Sequence, residues 1–204
     1  MLSQPESAFH MGEVMEQGKI LLFNLSRIGS QVRRIVGALL LSLFCQETLR
    51  RNEIPVAQRR ESHLYCDEGQ HFATDSLVDL ISEARKYKVG LTLAHQSMRQ
   101  FHHATGDALS SVGSTIIFGV DRADAESLTK DLGSKVTAED LIAQPDYHAI
   151  ARIGQQVVRI RTRCPAEIVE TGHRSQIIER SRKLYCRPTA EIVAAIRRRR
   201  AESV

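Results

Sequence analysis

The sequence predicts an α/β fold: a mainly parallel sheet with helices on both faces and an antiparallel hairpin at one edge. Three observations carry this. Short apolar runs alternate with longer stretches of helical period between residues 18 and 145. The runs end in polar residues or turns, as strand ends do. Beyond residue 145 two alternating runs are separated by Gly154, the signature of a β-hairpin. Strands alternating with helices call for parallel pairing, because a parallel connection needs a crossover long enough to hold a helix.

Residues 1–17 contain Pro5 and Gly12 without a clear period and read as a loosely held lead-in. "KILLFNL" (19–25), followed by Ser26, Gly29 and Ser30, reads as a buried strand. A long helix follows from about Ser30 to Arg51, closed by Pro55. Its most apolar stretch, Ile35 to Phe44, is too short to span a bilayer of roughly 30 Å and is expected to pack inside the fold. "HLYCDE" (63–68) is the second strand. "TDSLVDLISEARKY" is a helix with Thr74 or Asp75 as cap and Leu77, Leu80, Ile81 and Ala84 on one face. Val89 to Gln96 is the third strand, Ser97 to Val112 a broken helical segment, and Ser114 to Val120 the fourth strand. A capped helix then ends at Gly133, a short one is stopped by Pro145, and the hairpin follows. From Pro165 the chain is charged and helical. The expected organisation is thus a lead-in (1–17), a core (18–164) and a charged helical tail (165–204).

Composition narrows the function. With 42% hydrophobic and 25% charged residues among 204, the chain reads as a soluble globular protein, one generous α/β domain or one domain with appendages. Aromatics at 5%, with no Trp, weigh against a base-stacking nucleic-acid platform. A net charge of +4 tolerates a polyanionic partner without demanding one. Cys45, Cys66, Cys164 and Cys186 form no CxxC pair, and the first residues do not read as a secretory leader. Reduced thiols in a cytoplasmic protein are expected. The histidines have no partners at metal-site spacing, so no metal cage built from side chains alone is expected.

In open parallel sheets, function collects at the C-terminal edge of the strands. Here that edge carries Asp67 and Glu68, then His95 and Gln96, then Gly119 and Asp121. An apolar strand ending in Asp-Glu is the Walker B pattern of P-loop ATPases. In that pattern the Asp holds Mg²⁺ through bound water and the Glu orients the attacking water. A solvated turn after a strand looks the same, so the pair alone does not decide. Gln96 can hydrogen-bond a γ-phosphate or the attacking water. Arg85, ahead of the third strand, can reach across a subunit boundary to a transferring phosphoryl group. Singly, each also has an ordinary reading: a polar strand end, and a solvated cation at a helix C-terminus.

The order of these features is more telling. "LYCDEGQ", "SEARKYKVGLTLAHQ", "STIIFGVDRADAESLTKDLG" and "LIAQPDYHAIARI" together resemble the C-terminal half of the HerA/FtsK class of hexameric DNA-pumping ATPases. Within it they look most like TraG/TraD-type conjugative coupling proteins and type IV secretion ATPases. The resemblance covers roughly Gly18 to Thr162. It implies a RecA-like, partial P-loop NTPase fold and the cofactors ATP and Mg²⁺. Asp67 would hold the Mg²⁺, Glu68 would be the catalytic carboxylate and Gln96 the γ-phosphate sensor. Arg85 matches a position that in several relatives is an arginine finger toward the neighbouring subunit. The implied partners are further subunits of a ring hexamer, DNA or a nucleoprotein, and secretion-channel proteins. The implied location is cytoplasmic, at the inner face of the inner membrane for the complete protein.

Such a site also needs a phosphate-binding loop, GxxxxGK[ST], after a strand and opening a helix. "GEVMEQGKI" (12–20) has one residue too many between its glycines, Ile20 in place of the hydroxyl, and a strand expected after it. It does not qualify. The Walker A half is therefore expected outside this chain, in a longer product or another polypeptide, and the chain alone is expected not to hydrolyse ATP. Two alternatives remain at this level: a non-catalytic interaction module or truncated remnant, and a HerA-type DNA-processing translocase. "RRRR" (197–200) closes the last helix and reads as a solvated charged terminus more readily than as a DNA contact.

Overall fold

The computed structural model describes residues 7–101, 103–133, 136–164 and 172–202. The elements in chain order are α1 (Met11–Glu16), α2 (Ser30–Arg50), β1 (Ser62–Cys66), α3 (Asp75–Glu83), β2 (Val89–Leu93), α4 (His103–Ser110), β3 (Ser114–Ile117), α5 (Arg122–Leu132), α6 (Ala138–Ile142), β4 (His148–Ile153), β5 (Gln156–Arg161), α7 (Arg174–Tyr185) and α8 (Thr189–Glu202). Strands β1 and β2 pair in parallel, with Ser62 opposite Val89 and Cys66 opposite Leu93. A second sheet, in the order β3-β4-β5, is antiparallel throughout. The expected α/β class with parallel strands and an antiparallel hairpin is what the chain adopts.

Each sheet has its own core. Leu41, Phe44 and Cys45 of α2 pack with Leu77 and Leu80 of α3, Val89 of β2 and Met15 of α1. The α2 contributions recur at helical spacing, so one stripe of the helix faces inward. Each such buried side chain contributes about 1.5–3 kcal/mol relative to its exposed state. Around the second sheet, Ile117, Ala125, Leu132, Leu141 and Ile150 form a separate cluster.

Four readings of the sequence meet a different outcome. Residues 11–16 of the lead-in form a helix, α1, held by buried Met15 and by an ion pair from Glu16 to Arg51. Lys19 to Leu25 forms no strand: Ile20 is 88% exposed, and Asn24 turns the chain by accepting the Ser26 N–H at 3.0 Å. An apolar run becomes a strand only when a neighbour takes its N–H and C=O groups, and none of the described strands lies beside this one. The fourth expected strand, β3, pairs antiparallel with β4 of the hairpin instead of extending the parallel pair. Helix α2 is also apolar beyond its packed stripe. Val32, Ile35, Leu39 and Leu43 remain exposed, against the expectation that this apolar stretch packs inside the fold.

A buried guanidinium ties the first core together. Arg51, at the end of α2, donates to Glu16 Oε1 at 2.8 Å, the Tyr87 carbonyl at 3.1 Å and Ser62 Oγ at 2.8 Å. It thereby fixes α1, α2 and the N-terminal ends of β1 and β2 to one another. The tail helices α7 and α8 are almost wholly exposed, as their charge predicts. The first residues of the expected tail, 165–171, lie outside the described residues.

Candidate functional site

The carboxylate pair stands where β1 ends, and the backbone stitches that point to the end of β2. Ala94 donates its N–H to the Cys66 carbonyl and Gly69 donates to the Ala94 carbonyl, both at 2.9 Å. The chain needs a tight reversal here, and Glu68 takes a left-handed conformation, φ 54° and ψ 42°. For a residue with a Cβ this costs roughly 1–2 kcal/mol. Lys88 and Tyr147 adopt the same region at turns, so the conformation alone does not mark function. Gly69 permits the reversal for another reason: a Cβ there would come within 2.2 Å of the Leu93 side chain.

What sets Glu68 apart is the convergence on its carboxylate. Gln96 Nε2 donates to Oε1 at 2.6 Å. Gln70 Nε2 donates to Oε2 at 2.5 Å, and His71 Nε2 lies 4.0 Å from the same oxygen. The carboxylate is half-exposed and held by neutral amide donors. Each carboxylate oxygen has two lone pairs, so both retain capacity to accept from a water. Asp67 is exposed, and one of its oxygens accepts the Glu68 N–H at 3.0 Å.

The donor set suits Mg²⁺ in one respect. That ion takes one or two carboxylates and completes its shell with water and phosphate oxygens. Asp67 presents one exposed carboxylate of this type. Among the described residues no group of three or more His, Cys, Asp and Glu gathers at a metal-holding distance.

Of the four residues singled out in sequence, the structure brings Asp67, Glu68 and Gln96 together at one end of the parallel pair. Arg85 is not among them. It is exposed, ahead of β2, at the opposite end of a five-residue strand, roughly 17 Å along the sheet. Sequence reasoning missed Gln70, although the stretch "DEGQ" held a signal: a glycine that tightens the turn and an amide two residues past the Glu. His95 precedes Gln96, half-buried with its ring edge-on to Phe101 at 5.0 Å. Burial holds its pKa below the usual histidine value, with the nearby Asp124 charge partly opposing. No helix among the described residues is long and apolar enough to cross a membrane.

No protein-family model matches the sequence, and no curated protein sequence matches it. Solved structures do. The plasmid coupling protein TrwB in complex with ADP and Mg²⁺ superposes with a TM-score of 0.58 at 18% identity, over 66% of this chain and 37% of that one. VirB4 of Thermoanaerobacter pseudethanolicus gives 0.55 at 23% identity, over 70% and 40%. The genome packaging NTPase B204 from Sulfolobus turreted icosahedral virus 2, in complex with AMPPCP, gives 0.54 at 12%, over 81% and 74%. The chain thus spans about two-fifths of the length of TrwB and VirB4, and at these identities the likeness is one of fold. That fold is the RecA-like one of P-loop NTPases, as the resemblance implied.

Proposed function

We propose that this chain forms the carboxylate-and-sensor part of an ATP-driven motor that moves DNA or a nucleoprotein, working in conjugative transfer or type IV secretion. The observation that carries this reading is the meeting of Glu68 and Gln96 beside Asp67 at the C-terminal edge of the parallel strands. The fold shared with TrwB, VirB4 and a packaging NTPase supports it.

In this reading Asp67 would hold, through bound water, the Mg²⁺ carried by ATP, and that ion would supply neutralising charge to the phosphates. Glu68, fixed by two amides, accepts a hydrogen bond from the attacking water and aims its oxygen at the γ-phosphorus. Gln96 lies on the same carboxylate, so a γ-phosphate that engages its amide also changes what Glu68 is bonded to. That links the presence of a triphosphate to the water-activating group. Arg85, remote from its own carboxylates, serves the neighbouring subunit of a ring hexamer. The β- and γ-phosphates are cradled by a GxxxxGK[ST] loop supplied outside this sequence.

The test uses this chain alone and the same chain fused behind a strand–GxxxxGK[ST]–helix segment of a coupling ATPase. The fusion is expected to assemble and hydrolyse ATP with Mg²⁺, losing about 10²-fold or more of its rate in Glu68→Gln. The lone chain is expected to give no turnover above background. Turnover by the lone chain that vanishes in Glu68→Gln, or fusion turnover indifferent to that substitution, overturns the reading.

A second reading, an interaction module without turnover, is favoured by exposed apolar residues along 20–43, among them Ile20, Leu22, Ile35 and Leu39. Such a surface calls for a cover whatever the chemistry. Under this reading the fusion assembles yet shows no Glu68-dependent hydrolysis.

A further inference from the structure

The turn that carries Gln96 leaves β2 of the first core, and polar groups from α5 of the second hold its far side. The Met98 N–H donates to Asp124 Oδ2 at 3.3 Å. Arg99, the next residue, pairs with Asp121 through Nη2 and Oδ2, and its Nε lies 3.9 Å from Asp124 Oδ1. Ser97 Oγ accepts the Arg99 N–H at 3.4 Å. On the opposite side, Asp121 caps α5 by accepting the Asp124 N–H at 2.9 Å.

Asp124 is the one carboxylate buried among the described residues, with 3% of its surface exposed. Burying a carboxylate is costly unless its oxygens are satisfied. Its place in the first turn of α5 offsets part of the cost through the helix dipole. A purely helix-stabilising role would need only that. Here both oxygens instead face the turn after β2: one takes a backbone N–H two residues past Gln96, the other faces the Arg99 guanidinium. On its near side, the turn presents Gln96 to Glu68 at 2.6 Å.

We propose that Asp124 is the positioning residue for Gln96: it anchors the turn after β2 to α5 so that the Gln96 amide meets Glu68. The consequence for catalysis rests on the reading of Gln96 given above; the anchoring itself does not. Asp121 and Arg99 form the outer, exposed part of the same anchor, with the charge of Arg99 shared between two carboxylates. Gln96 is exposed, at the surface of the turn. Its orientation therefore depends on where the turn is fixed.

The test is the side-chain amide signal of Gln96 in the ¹⁵N-labelled chain, assigned by its loss in Gln96→Leu. Glu68→Ala gives the position of the signal when the contact is absent. In Asp124→Ala the signal is expected to move at least half-way to that position and to broaden, while methyl signals of Leu77, Leu80 and Ile150 stay in place. Asp124→Asn, which still accepts the Met98 N–H, is expected to recover most of the shift. An unmoved Gln96 signal in folded Asp124→Ala overturns the proposal, even if Gln96→Leu abolishes turnover in the fused ATPase. Should Asp124→Ala unfold, the combination of Asp124→Asn with Arg99→Ala decides: a displaced Gln96 signal supports the anchor and an unmoved one overturns it.

Discussion

Gln96, leaving β2, donates its side-chain amide to Glu68, leaving β1, across 2.6 Å. The residues are 28 apart in sequence, and parallel pairing of two five-residue strands brings them together. The bond has a neutral donor and a charged acceptor in a half-exposed place, so a net worth of about 0.5–1.5 kcal/mol is expected. A double-mutant cycle with Glu68→Ala and Gln96→Ala, read by urea unfolding, is expected to return a coupling in that range. Additive single effects would mean that the two side chains do not hold each other in solution.

Gly37 sits in the middle of α2, where alanine would ordinarily gain about 1 kcal/mol from helix propensity. A Cβ at that position meets the Phe72 ring at 2.2 Å. Overpacking of this kind costs roughly 1–3 kcal/mol, so the clash outweighs the propensity. Gly37→Ala is expected to lower stability by about 1 kcal/mol in chemical denaturation. The same substitution made in a Phe72→Ala background is expected to be neutral or stabilising.

Arg51 is 2% exposed and serves acceptors on three separate segments. Replacing it with Met keeps the bulk but strands the Tyr87 carbonyl and takes one donor from the Ser62 hydroxyl, which keeps its own bond to the Met15 carbonyl. A loss of about 3 kcal/mol is expected. Arg51→Lys is expected to recover less than half of it, because one ammonium cannot reproduce the planar fork. A loss below about 1 kcal/mol for Arg51→Met would show that the guanidinium is not the tie between these segments.

His95 titrates below its ordinary value because it is half-buried near Phe101. Between its folded pKa and the unfolded value near 6.5, the unfolded chain holds more protons, so stability rises with pH across that window. The contribution is complete above about pH 6.5 and is lost as pH falls through the folded pKa. Thermal melts from pH 7.5 down to 5 are expected to show this fall, reduced in His95→Asn. Equal slopes in both proteins would place the acid sensitivity elsewhere.

Much of this molecule is written locally. Helix α3 follows from a 3.6-residue apolar period, and α2 and α5 from their bounding residues, with Asp121 before α5 and Gly133 after it. The hairpin follows from alternation on either side of Gly154, which adopts φ 58° at the turn. The sequence also placed Asp67 and Glu68 at the end of a strand, since an apolar run that stops at two carboxylates must reach water there.

Pairing and convergence were not legible in the same way. Lys19 to Leu25 has the composition of a strand and lacks a strand neighbour among the described residues, because propensity does not supply the partner that takes the backbone hydrogen bonds. β3 joined the hairpin because strand order is decided between segments far apart in the chain. Gln70 reaches Glu68 through a left-handed turn, Gln96 reaches it through a parallel register, and Asp124 fixes the turn behind Gln96 from another core. Periodicity and capping act over a few residues and can be read along the chain. The arrangement around one carboxylate is set by contacts between elements, and only the tertiary structure decides it.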